Sequence, residues 1–170
     1  MAIIIVCCSI LVSNLFAQQM KQPDWKGYTF LLGDWVGEGN GTPGEGTGKL
    51  TFYLALQNQI LIRKNHTEYP ATANKPAFTH DDVLIHYCEN NLVRAIYFDS
   101  EGHTIHYTAN FLPDSSELIL LGDITPSAPR FRFTYTKIGN EKLKVTFEIA
   151  PPGKPEEFSK YLEGIVNKVK

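Results

Sequence analysis

The sequence predicts an all-β protein: an antiparallel up-and-down β-barrel of about ten strands with a short N-terminal helix. Three observations lead to it. Apolar and polar residues alternate with a period of two over most of the chain after Lys49. The alternating runs are joined by short turns of Asn, Gly, Asp and Ser, which favour hairpins. No long helical pattern lies between them. Consecutive hairpins build one antiparallel sheet, and closure is the usual way for a sheet of this size to remove its edges. A two-sheet sandwich is the alternative arrangement.

The elements follow in order. Met1 to Ala17, "MAIIIVCCSILVSNLFA", carries no charge and is apolar from Ala2 to Val12. It resembles a secretory signal peptide, and its apolar run is too short for a typical spanning helix. An uncleaved anchor or an N-terminal strand is the other reading. Residues 18–170 then form a single exported domain with no integral membrane segment. Cys88 becomes the lone cysteine, read as a buried apolar side chain without an internal disulfide. "QPDWKGYTFLLG" is the short helix, with Pro23 and Asp24 in its first turn and Gly33 as its stop.

"GDWVGEG" begins the sheet. "KLTFYLAL" places Leu50, Phe52, Leu54 and Leu56 on one face, and "QNQ" turns into "ILIRKNHTEY". "DDVLIHYC" and "LVRAIYF" flank "ENN"; "DSEGH" leads to "TIHYTANF", and "PDSSE" to "LILLGDI". "RFRFTYTKI" and "KLKVTFEIA" are joined by "GNE", and the tail from Ser159 reads as a last strand. "EYPATANKPAFTH" (Glu68 to His80) is the long loop, of the kind that shapes access to a barrel mouth.

The 170 residues fit one domain with a substantial core, and 43% apolar residues argue against disorder. Net charge is −2 without a basic block, which argues against nucleic acid as a partner. A monomer is expected.

"FLLGDWVGEGNG" resembles the first-strand signature of the calycin group. Gly33, Asp34 and Trp35 match the lipocalin Gly-x-Trp, and Gly37, Gly39 and Gly41 extend it to "GxWxGxGxG". The longer form is similar to nitrobindin-type barrels and related secreted bacterial domains. The resemblance implies a lipocalin-like cup whose closed end is plugged by Trp35, with a basic side chain from the last strand, Lys168 or Lys170, packed on its ring. Nitrobindin-like proteins hold haem through a His near the start of the final strand. That position falls on Tyr161, and no His follows His106. Histidine-ligated haem is therefore disfavoured and no cofactor is expected, although a tyrosinate can ligate ferric haem.

No catalytic set is recognisable. A Gly-x-Ser-x-Gly elbow is missing, and "GEGNGTPGEGTG" lacks the Lys-Ser/Thr ending of a phosphate loop. His80, Asp82, His86 and His106 converge on a metal only across an intervening strand, so no metal site is expected. His86 and His106 read as hydrogen-bonded barrel residues, and His66, His80 and His103 as solvated ones. Arg130 and Arg132 alternate with Phe131 and Phe133, charges out and rings in; an anion site made by them with Arg94 is the functional alternative.

What remains is the cavity. The inward set reads as Trp35, Leu50, Phe52, Leu54, Ile60, Ile62, Ile105, Tyr107, Phe131, Phe133, Val145 and Phe147. The expected ligand-binding residues are Trp35, Phe52, Leu54, Ile62, His86, Ile105, Tyr107, Phe131, Phe133, Phe147 and Tyr161. The expected function is an exported carrier holding a small apolar or aromatic molecule. A small barrel enzyme of isomerase or cyclase type, or a purely structural barrel, is the alternative.

Overall fold

The computed structural model describes residues 23–39, 46–114 and 116–170. The proposed leader and part of the glycine run lie outside them. The strands are β1 (Gly33–Gly37), β2 (Thr47–Ala55), β3 (Ile60–Tyr69), β4 (Phe78–Glu89) and β5 (Leu92–Asp99). They continue with β6 (Thr104–Leu112), β7 (Glu117–Gly122), β8 (Arg130–Ile138), β9 (Lys142–Ala150) and β10 (Ser159–Lys168). Each pairs antiparallel with the next, and β1 pairs with β10, so the sheet closes. Closure rules out the sandwich.

The helix expectation needs correcting. Among the described residues there is no α-helix, only a six-residue 3-10 helix, Lys26–Leu31. It ends because Leu32 is extended (ψ 135°) and Gly33 takes φ +117°. Trp25, Tyr28 and Leu31 from this segment are buried beneath the barrel. The Trp25 indole donates to the Asn58 carbonyl at 2.8 Å, and Tyr28 meets the rings of Trp25, His86 and Phe111 edge-on or tilted. This turn closes one end.

Turn chemistry sets the register. Asn90 and Asn91 both have positive φ (50° and 63°), the two-residue geometry that matches strand twist. Between β2 and β3, Leu56, Gln57 and Asn58 are all left-handed (φ 51° to 65°). This turn sets Leu54 opposite Leu61 and Phe52 opposite Arg63. Paired residues of an antiparallel ladder share a face. Leu61 and Arg63 therefore face inward, and Ile60 and Ile62 face outward. That corrects the assignment of Ile62 to the ligand-binding set. The run Ile60-Leu61-Ile62 is apolar in either phase, so the charge of Arg63 favoured the wrong one. Cys88, too, is exposed rather than buried. It lies one pair from the Asn90–Asn91 turn, beyond the packed core.

The core fills the closed half. Trp35, Phe52, Leu61, Leu84, Tyr107, Leu118, Leu120, Tyr135 and Leu143 are buried there in one cluster. The Trp35 indole donates to the Leu31 carbonyl at 2.7 Å, and Lys168 Nζ lies 5.3 Å from its ring centroid. The same lysine stem passes Gly33, where a Cβ would stand 3.1 Å from Lys168 Cε. Its φ is what requires a glycine on the first strand, and the lysine crossing it would have to give by a few tenths of an ångström to admit a side chain.

Candidate ligand-binding site

The opposite end of the barrel is the mouth, ringed by the end of β3, the start of β4, the end of β5 and the starts of β8 and β10. Its inner wall has two chemistries. On β8 and β9, Phe131, Phe133 and Phe147 face inward but stay only part-buried. Phe131 and Phe147 stack at 5.7 Å and 11°, and Phe133 lies 5.6 Å from Phe147. Ile105 of β6 and Tyr97 of β5 pack against the core beside them. On β3 and β4 the inward residues are polar: Arg63, Asn65, His80 and Asp82.

Arg63 is 3% exposed and Asp82 7%, an ion pair inside the barrel. Arg63 also donates to the Tyr135 hydroxyl at 2.5 Å, and its guanidinium lies 5.1 Å from the Phe133 ring centroid. Asn65 donates to Asp82 Oδ2 at 2.9 Å. His80 Nε2 lies 3.3 Å from the same oxygen and 3.1 Å from the Tyr97 hydroxyl. Burial alone would raise the Asp82 carboxyl; Arg63 and His80 outweigh it and hold it below the usual carboxylate range. His80 is pushed up to about 9, chiefly by its bond to Asp82. Burial raises the Tyr97 and Tyr107 phenols. Arg63 and Asp82 form the floor of the mouth, where Arg63 Nε is buried without a hydrogen-bond partner.

The expected site residues separate by depth. Trp35 and Phe52 are core, and Tyr107 is buried beside the Arg63–Asp82 pair. Leu54 packs against the same core at the closed end. His86 is fully buried there, and neither ring nitrogen has a hydrogen-bond partner. Burial, and secondarily the charge of Arg63, pushes it down to about 3, so it is neutral. Ile105, Phe131, Phe133 and Phe147 do come together at the mouth. Tyr161 stands on the rim, 73% exposed, at a register shift of β10, with its ring edge-on to Phe147 at 6.1 Å. Ile62 is outside, as noted.

Other expectations resolve individually. Arg94, Arg130 and Arg132 are paired with Asp123, Glu156 and Glu148, so they form no common anion site. Lys168, of the two candidates, covers Trp35. His106 faces outward opposite Ile96 rather than joining His80 and His86. His80 is not solvated but tied to the mouth network. Sequence reasoning missed Arg63, Asn65 and Tyr97, and weighed Asp82 only as a metal ligand. One cue was available: with Leu84 and His86 inward, Asp82 is inward too, and a buried carboxylate calls for a buried cation.

Two concave features lie elsewhere. A groove of about 630 Å³ runs over the outer wall of β2–β5, lined by outward side chains such as Lys49, Lys64, His66 and Asp81. A second, of about 420 Å³, lies at the β3–β4 hairpin beside the stacked Tyr69 and Phe78. Both are wide open and less suited to enclosing a molecule than a barrel mouth.

No protein-family model matches the chain, and no curated protein does. Among solved structures, the crystal structure of Rv2717c from M. tuberculosis has the same architecture. The two superpose with a TM-score of 0.62 at 16% identity, over 87% of this chain and 98% of that one. At such identity the likeness to Rv2717c bears on the fold alone, a closed antiparallel β-barrel.

Proposed function

We propose that the protein is an exported, monomeric carrier of a small, flat, largely apolar or aromatic molecule with a polar edge. The reading rests on the two-sided mouth. Inward aromatic side chains left part-exposed forgo burial worth roughly 25 cal/mol per Å². A ligand that covers them recovers that burial, and its polar edge meets the Asp82–His80–Tyr97 side. After association costs, roughly micromolar affinity is within reach. Among the described residues, no helix is long and apolar enough to cross a membrane. Kinship with lipocalins and nitrobindin-type barrels is part of the same proposal. So is the expectation that histidine-ligated haem is not the ligand, since Tyr161 stands at the matched position.

The test is a fluorescence titration of the full chain with an amphipathic naphthalene sulfonate, followed by displacement with a panel of aromatic acids and lipids. One-to-one binding is expected, weakened about tenfold by Phe147→Ala with the far-ultraviolet spectrum unchanged. Failure of every probe to bind the folded protein would leave the purely structural barrel. Ferric haem added to the same protein should give no Soret shift that depends on a single histidine.

A further inference from the structure

We propose that the rim of the mouth holds a divalent transition-metal ion, zinc being the natural occupant, through His80, Asp99, Glu101 and His103. The proposal stands independently of the carrier reading. His80 comes from the start of β4; the other three come from the end of β5 and the turn that follows it. Ligand atoms of His80, Asp99 and Glu101 lie within 4.8 Å of one another. A tetrahedral zinc ion spaces its ligand atoms roughly 3.5 Å apart, so a small contraction suffices. His80 Nδ1 is 3.0 Å from both Glu101 carboxylate oxygens. His103 Nδ1 is 2.8 Å from Asp99 Oδ2 and 4.0 Å from Glu101 Oε2.

Mere proximity of acids and histidines is common on surfaces. What distinguishes this group is that its ligands are aimed from behind. The far nitrogen of His80 is engaged by the buried Asp82 carboxylate and the Tyr97 hydroxyl, which leaves Nδ1 facing the cluster. A carboxylate behind an imidazole is the partner that orients metal-ligating histidines and strengthens them as donors. Asp82 is itself fixed by Arg63. Asp99 is held likewise: its Oδ1 accepts the backbone N–H groups of Glu101 (3.0 Å) and His103 (2.8 Å), leaving Oδ2 for the cluster. Two imidazoles and two carboxylates match the borderline-soft preference of zinc rather than the all-oxygen preference of calcium.

The test is a titration of metal-free full-length protein with Co²⁺ followed by Zn²⁺ competition. One equivalent of Co²⁺ should produce the visible bands of a four-coordinate ion, and Zn²⁺ should abolish them. His80→Ala and Glu101→Gln should each weaken zinc binding by about tenfold or more. His66→Ala, whose ring pairs with Asp81 and Glu68 on the outer wall, should not. If His80→Ala disturbs folding through Asp82, Glu101→Gln on the exposed turn decides alone. A missing one-equivalent band, a thiolate charge-transfer band in its place, or unchanged affinity in Glu101→Gln would overturn the proposal.

Discussion

Arg63 and Asp82 are each almost sealed from water, and among the described residues His80 is the one other cation that Asp82 meets. Removing one member of such a pair leaves a buried, unpaired charge and costs about 3–5 kcal/mol, whereas replacing both by apolar groups of similar size is far cheaper. Arg63→Met should therefore destabilise the barrel by about that amount. Arg63→Met with Asp82→Leu should recover most of the loss, read from urea denaturation of the full cycle. His86 makes a second prediction. Its imidazole titrates near 6.5 when unfolded and near 3 when folded. Between those values the unfolded chain holds a proton that the folded chain does not. Stability is thus fully present above about pH 6.5 and declines as pH falls toward 3. His86→Leu should flatten that decline between about pH 6.5 and 5, above the range in which carboxylates titrate.

The elements respond to backbone rules as much as to side chains. Gly33 has φ +117° and lies under the Lys168 stem, at the junction of the closing turn and β1. Gly33→Ala should cost about 1–3 kcal/mol through strain alone, measured as a drop in Tm without loss of the sheet spectrum. The alternation of β2, β6, β8 and β9 made most of the sheet legible in the sequence, because polar and apolar residues there leave one phase. β3 was not legible. Ile60, Leu61 and Ile62 are apolar whichever way they point, and the left-handed triplet at Leu56 to Asn58 that fixes the phase has no strong signature. The polar half of the mouth was lost with it, since Arg63 and Asn65 ride on that phase. The aromatic half was legible, because Phe131, Phe133 and Phe147 alternate with charged or hydroxyl residues. His80 was misplaced because Glu68 to His80 reads as loop, whereas β4 starts at Phe78.

At the scale of the whole molecule, the seam is the contact between β1 and β10. Among the described residues three pairs register across it, Trp35 with Lys168, Val36 with Asn167 and Gly37 with Val166. It is reinforced at its edge by Glu38, which accepts from Asn167 at 2.8 Å across 129 residues of chain and from Lys142 at 2.7 Å. Every other neighbouring pair is a local hairpin that can form without waiting for distant parts. The barrel therefore resembles a belt with one buckle. Hairpins zip early, and loop entropy makes the seam the last contact to become favourable. In kinetic terms, seam interactions belong to the descent after the folding barrier. Asn167→Ala and Glu38→Gln should speed unfolding while leaving the refolding rate nearly unchanged, a pattern that stopped-flow chevrons resolve directly. Refolding slowed in proportion by either variant would place the buckle in the nucleus instead. A seam that opens first also has a cellular consequence: transient unbuckling bares the facing edges of β1 and β10 together, ready to pair with another copy's open edge.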